Sequence, residues 1–201
     1  MIKAILFDIG EVVIYEDFLS FFKKIEKKHK LPPETLYKSI LHIDEWDQYN
    51  RGKITEEELI KAILEKTHIE KDVIDYVKKW RTTIISPVPE VVKLIKKLKK
   101  NYKVFSLSNV DKETVKFVQK KWKLYDIFDG NVLSCDVGMI KPEKEIFDYA
   151  LKKAGVTKDE VIFIDNYGKN IDAAEKLGIT SIKFESYKEL VEDLKAHGIK
   201  F

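Results

Sequence analysis

Apolar positions along the chain fall into two regimes. Near the start, Ile2, Ala4, Ile5, Leu6 and Phe7 form an almost unbroken run, which predicts a short strand buried on both faces. From about residue 15 the spacing becomes helical. Phe18, Phe21, Phe22 and Ile25 follow the i, i+3, i+4, i+7 pattern of one helix face. Pro32–Pro33–Glu34 predicts a second helix start, with Leu36, Ile40 and Ile43 continuing an apolar side. After a turn at Asn50–Arg51–Gly52–Lys53, Thr55 and Glu58 supply a capping box for a third helix carrying Leu59, Ile60, Ile63 and Leu64. A fourth helix, about 71 to 83, carries Val73, Ile74, Val77 and Trp80.

Beyond Pro87, helical and strand patterns alternate. Strands are predicted over 103–108, 131–135, 161–165 and 179–184, each pair separated by a helix, with Gly155 and Gly178 as helix terminators. Strands joined through single helices imply right-handed crossovers and a parallel sheet. The expectation is an α/β protein: a Rossmann-like parallel sheet core formed by residues 1–14 and 87–201, with an inserted all-α unit over 15–86.

Composition narrows the class. At 201 residues, with 44% hydrophobic and 35% charged content, the chain suits one soluble domain with a small insertion. Net charge is +3 with both signs interspersed, and only Arg51 and Arg81 are arginines, so no nucleic-acid footprint is indicated. The lysine runs (Lys96–Lys97, Lys99–Lys100) read as solvated helix faces. A single cysteine, Cys135, excludes an internal disulfide and a Cys-based zinc cluster. No apolar run approaches the roughly 20 residues of a membrane span. The first residues enter a core strand with no room for a signal peptide. These features predict a cytoplasmic monomer or homodimer with neither a membrane nor a nucleic-acid partner.

Chemistry concentrates where the predicted strands end. In a parallel sheet the carboxyl ends share one edge, and ligands bind there. Asp8, Ser108–Asn109, the loop at Lys141–Pro142 and Asp165–Asn166 all fall on that rim. Asp8 and Asp165 are hard oxygen donors suited to Mg²⁺, which keeps several waters and takes substrate phosphate as well. Ser108 and Asn109 can donate to phosphoryl oxygens, and Lys141 is a compact positive charge. A carboxylate can also attack phosphorus to form an aspartyl-phosphate. A small phosphate ester is the partner these groups predict.

The order of these residues resembles the haloacid dehalogenase-like hydrolases over essentially the whole chain. Phe7-Asp8-Ile9-Gly10-Glu11-Val12-Val13 is similar to the first motif, Ser106-Leu107-Ser108-Asn109 to the second, Lys141-Pro142-Glu143 to the third, and Phe163-Ile164-Asp165-Asn166-Tyr167-Gly168-Lys169-Asn170 to the fourth. The resemblance implies a nucleophilic role for Asp8, a phosphate-steadying Lys141, and a Mg²⁺ site formed by Asp8, the Gly10 carbonyl and Asp165. It also implies that the insertion is the small helical cap of subclass I, which closes over the site and selects the substrate. Trp46-Asp47-Gln48-Tyr49-Asn50-Arg51-Gly52-Lys53-Ile54-Thr55 is similar to caps of the sugar-1-phosphate phosphatase branch.

Two positions depart from the family's pattern. Gly10 stands where a second Asp usually protonates the leaving oxygen and activates water, a service worth roughly 10²–10⁴ in rate. The glucose-1-phosphate phosphatase branch is similar in carrying Gly there. Glu11 is a possible substitute, read instead as facing solvent or pairing with a lysine. Asn166 replaces a second acidic residue of the fourth motif, and Asn170 and Asp172 are candidates for steadying hydrogen bonds, Asp172 equally reading as helix surface. Arg51 and Arg81 read as exposed structural residues, and His29, His42, His68 and His197 as structural. Trp46 and Tyr49 either line the pocket or pack the cap. Cys135 reads as buried in a strand. The leading expectation is a Mg²⁺-dependent phosphatase favouring good leaving groups, such as anomeric sugar and aryl phosphates. The alternative is a phosphate-binding or interaction protein of the same fold that has lost the chemistry. A metal-independent C–halogen hydrolase fits less well because Asp165 is acidic.

Overall fold

The computed structural model describes residues 1–66 and 69–201. His68 therefore lies outside the described residues. Five strands form a parallel sheet: β1 (Ala4–Phe7), β4 (Lys103–Ser108), β5 (Gly130–Leu133), β6 (Val161–Asp165) and β7 (Thr180–Lys183), in the order β5-β4-β1-β6-β7. The remaining two, β2 (Ile14–Tyr15) and β3 (Ser86–Pro87), pair antiparallel as a short ribbon. β1 is central, and alternation along it sorts its side chains. Ile5 and Phe7 enter one apolar cluster with Val104, Ile162 and Ile164, while Ala4 and Leu6 enter another with Phe105, Leu107 and Phe163. Burial on both faces is why these strands read as continuous apolar runs.

Helices α7 (Pro89–Leu98), α8 (Lys112–Trp122), α10 (Lys144–Ala154), α11 (Gly168–Lys176) and α12 (Tyr187–Ala196) cover the sheet, and α9 (Ser134–Val137) is a single turn after β5. Gly155, at φ 67°, ends α10 in the left-handed conformation that lacks a penalty for glycine. Between the ribbon strands lie α1 (Phe18–His29), α2 (Thr35–Leu41), α3 (Asp44–Asn50), α4 (Glu56–Lys66), α5 (Lys71–Val77) and α6 (Trp80–Ile84). The capping box at α4 is present, with Thr55 N–H donating to Glu58 at 2.7 Å and Glu58 N–H to Thr55 Oγ1 at 3.2 Å.

Three expectations need correction. Among the described residues the insertion has six helices where periodicity predicts four, because the second and fourth predicted helices each bend and continue. Glu26 explains the entry to α2: its buried carboxylate accepts from the Leu36 N–H at 2.8 Å and the Glu34 N–H at 3.1 Å. The strand predicted over 131–135 ends at Leu133, since Ser134 turns the chain by bonding groups from elsewhere. Its hydroxyl donates to the Asn50 carbonyl at 2.6 Å and accepts from the Val110 N–H at 2.8 Å. Cys135 is buried as expected, but in α9, and burial pushes its thiol up to about 12. The helical insertion is not packed separately: Phe22, Leu36, Ile40 and Ile74 belong to the same apolar cluster as Ile5 and Phe7. No described helix is long and apolar enough to cross a membrane.

Candidate active site

The residues at the sheet's carboxyl edge do converge, and Lys141 is the hub. Its ammonium, 1% exposed, lies 2.8 Å from Asp8 Oδ1 and 2.6 Å from Asp165 Oδ2. Burial alone would lower the lysine, but the two carboxylates outweigh it and hold the ammonium above its ordinary range. Asp8 is raised to about 6, chiefly by burial; Lys141 opposes that shift and the Asp165 charge adds to it. Each carboxylate is also fixed by backbone and amide groups. The Ile9 N–H donates to Asp8 Oδ1 at 2.7 Å, which leaves Asp8 Oδ2 without a hydrogen bond among the described residues. The Tyr167 N–H donates to Asp165 Oδ1 at 2.7 Å, and Asn170 Nδ2 to Oδ2 at 3.0 Å.

Asn109 ties the second and third motifs together. Its side chain accepts from the Lys141 N–H at 2.8 Å and donates to the Lys141 carbonyl at 2.9 Å. One amide hydrogen remains for a ligand. Ser108, buried at the end of β4, makes no hydrogen bond through its hydroxyl among the described residues. Asn166 donates to Glu11 Oε2 at 2.8 Å, so Glu11 pairs with an amide rather than a lysine. Glu11 itself sits at φ 55°, in the tight turn that follows Asp8. Asp172 is an exposed residue of α11.

A cleft of about 530 Å³ opens over this rim, lined by Asn109, Lys141 and Asn170 from the sheet side and Phe18, Trp46 and Trp80 from the insertion. Trp46 thus lines the cleft and also packs on the apolar cluster. Glu16, part-buried at the entry to the insertion, lines it too. Burial pushes Glu16 up to about 8, with the charges of Asp8, Glu11 and Asp111 adding to the shift. No sequence signal singles it out, since the linker it occupies has no periodicity.

Both arginines need correction, because both are clamps rather than solvated surface. Arg81 is buried, donating from NH2 to Asp111 Oδ1 at 2.8 Å and to the Tyr49 hydroxyl at 2.6 Å, from NH1 to Glu56 at 2.6 Å, and from Nε to Thr114 Oγ1 at 2.9 Å. Tyr49 donates in turn to Asp111 at 2.8 Å, which makes it part of this clamp. Arg51 forks onto Glu143, two residues from Lys141, and reaches the Gly138 carbonyl at 3.2 Å. Among the histidines, His29 lies 3.6 Å from Asp72, His42 packs on Tyr37, and His197 is exposed; none of the three adjoins the rim.

The donor set bears on metal binding. No group of three or more His, Cys, Asp or Glu side chains among the described residues forms a metal cage. Asp8 and Asp165, bridged by Lys141, are hard carboxylate oxygen donors of the kind Mg²⁺ uses when waters and substrate phosphate complete its shell.

A parallel α/β sheet with this rim defines a hydrolase class, and the chain belongs to it: the model of the haloacid dehalogenase-like hydrolase family matches residues 2–178. The chain is 27% identical over 199 residues to a drimenol cyclase from Aspergillus calidoustus, 96% of this chain but only 36% of that protein. It thus spans about a third of that relative's length. It is also 27% identical over 212 residues to a glyceraldehyde 3-phosphate phosphatase from Methanocaldococcus jannaschii, covering 96% of this chain and 90% of the relative. Among solved structures, a HAD family enzyme from Bacteroides thetaiotaomicron, in complex with magnesium and inorganic phosphate, superimposes with a TM-score of 0.74 at 28% identity, covering 94% of this chain and 99% of that one.

Proposed function

We propose that this chain is a Mg²⁺-dependent phosphatase of small phosphorylated metabolites, acting through an aspartyl-phosphate on Asp8. The observation that carries the reading is the buried Asp8–Lys141–Asp165 bridge, which holds one Asp8 oxygen and leaves the other without a hydrogen bond among the described residues. That free oxygen attacks phosphorus in line, while Lys141, Ser108 and the remaining Asn109 hydrogen meet the phosphoryl oxygens. Asp8, Asp165 and the Gly10 carbonyl would hold Mg²⁺, which would supply charge neutralisation for the transferring group. Asn170 and the Tyr167 N–H keep Asp165 oriented. The helical insertion acts as a cap, placing Phe18, Trp46 and Trp80 against the leaving group and excluding water. A phosphatase relative covered along nearly its full length, and a neighbour holding magnesium and phosphate, support the reading. Phosphate release from p-nitrophenyl phosphate and a panel of sugar phosphates tests it. Release that disappears in Asp8→Asn and under EDTA, and returns with Mg²⁺, is the expected result; activity unaffected by either change overturns the reading.

A further inference from the structure

The chemistry above leaves a proton to be moved twice. The departing alkoxide needs one, and the water that opens the aspartyl-phosphate must lose one. Residue 10 has no side chain to do this. A Cβ built on Gly10 would lie 3.4 Å from Oε2 of Glu16 and 3.8 Å from its Cδ. The space into which a side chain at position 10 would grow is therefore faced by another carboxyl group, delivered from the linker between β2 and α1. The same Glu16 lines the cleft with Lys141 and Asn109.

Its neighbours sharpen the assignment. The two acidic side chains whose charges reach Glu16 besides Asp8 are engaged: Glu11 accepts from Asn166, and Asp111 accepts from Arg81, Tyr49 and Thr114. Glu16 makes no hydrogen bond or ion pair with any described residue, so no structural bond would be broken by its turning toward a ligand. Asp17, next in the chain, has its own task as the cap of α1, accepting from the Ser20 N–H at 2.9 Å.

We propose that Glu16 is the proton-transferring carboxyl group of this site; the proposal rests on the phosphatase reading. In the first half-reaction the Asp8 Oδ2–P bond forms and the P–O bond to the leaving group breaks, with the Glu16 proton passing to the departing oxygen. In the second, water forms the new P–O bond, the Asp8–P bond breaks, and the water proton returns to Glu16. Both residues end as they began, and the products are an alcohol and inorganic phosphate.

Glu16→Gln tests this, assayed on p-nitrophenyl phosphate and on an alkyl phosphate such as glycerol phosphate. An aryl oxide leaves without a proton, whereas an alkoxide needs one. Loss of a general acid costs roughly 10²–10⁴-fold, so that is the expected drop for the alkyl ester. On the aryl ester the variant is expected to give a burst of about one nitrophenolate per enzyme, followed by slow turnover, because water attack has lost its base. A merely structural role would lower both rates together with no burst. Gly10→Asp combined with Glu16→Ala is expected to restore alkyl-ester turnover over Glu16→Ala alone. A cooperative melting transition and equal stabilisation by inorganic phosphate establish that Glu16→Gln is folded. Equal, few-fold losses on both esters without a burst overturn the assignment of Glu16 alone. Absence of phosphate release by the wild type on every ester overturns the phosphatase reading, and this proposal with it.

Discussion

Arg81→Met tests whether the insertion is locked to the core by a buried charge network. The guanidinium meets Asp111, Glu56, Tyr49 and Thr114, with only 10% of the Arg81 side chain and 3% of the Asp111 side chain exposed. Methionine keeps an unbranched apolar stem but removes every one of these bonds, together with the guanidinium that lies 4.7 Å over the Trp80 ring. Breaking a buried pair by removing one partner costs about 3–5 kcal/mol. Asp111 keeps bonds from the Thr114 N–H at 2.9 Å and the Tyr49 hydroxyl at 2.8 Å, so the lower end of that range applies. At about 2–4 °C per kcal/mol for a chain of this size, the melting temperature is expected to fall by roughly 6–12 °C. Urea unfolding of the wild type, Arg81→Met, Asp111→Asn and the double variant closes the cycle. The double variant is expected to be less destabilised than the sum of the singles, since it strands no charge. A loss under about 1 kcal/mol, as an exposed ion pair gives, would refute the argument.

Three further outcomes follow from the same physics. Tyr125→Phe is expected to be neutral or to raise stability by about 1 kcal/mol, read by thermal melting, because the Tyr125 hydroxyl is buried without a partner among the described residues and its removal relieves that cost. Gly52→Ala is expected to destabilise by about 1–2 kcal/mol or more from the left-handed backbone alone. It sits at φ +67°, and its Cβ would come 2.5 Å from the Cys135 carbonyl; urea unfolding measures the loss. The third concerns pH. Glu16 is raised from 4.5 to about 8, so its contribution to stability is complete below about pH 4.5 and is lost as pH rises through about 8. In EDTA, the melting temperature of Glu16→Gln relative to wild type is therefore expected to rise between pH 5 and 9; a constant difference would count against the shift.

What could be read from the sequence follows the distance over which each feature is determined. The strands were legible because burial on both faces makes their apolar runs continuous, and the rim residues because a parallel sheet gathers its strand ends. Ser134 shows the limit. Its turn depends on the Asn50 carbonyl and the Val110 N–H, neither of which a local pattern contains. The helix bends near residues 42 and 78 were hidden because the apolar face continues across them. Arg51 and Arg81 look like ordinary surface residues, and partners 25 to 92 positions away bury them. Glu16 was invisible for the same reason: its approach to Gly10 is made by the turn between β1 and β2, where Glu11 takes a positive φ.

The two arginine clamps bear on how this architecture can be recombined. The only two arginines of the chain stand on the insertion, and they grip the residues just past Asn109 and Lys141. Replacing residues 15–86 with the helices of a relative would not exchange one block of helices for another while leaving the sheet's rim intact. It would discard both anchors and strand Asp111 and Glu143, so the chimaera would acquire new helices and a loosened rim together. The smallest transplantable module is the insertion plus the Asp111 and Glu143 loops that receive it.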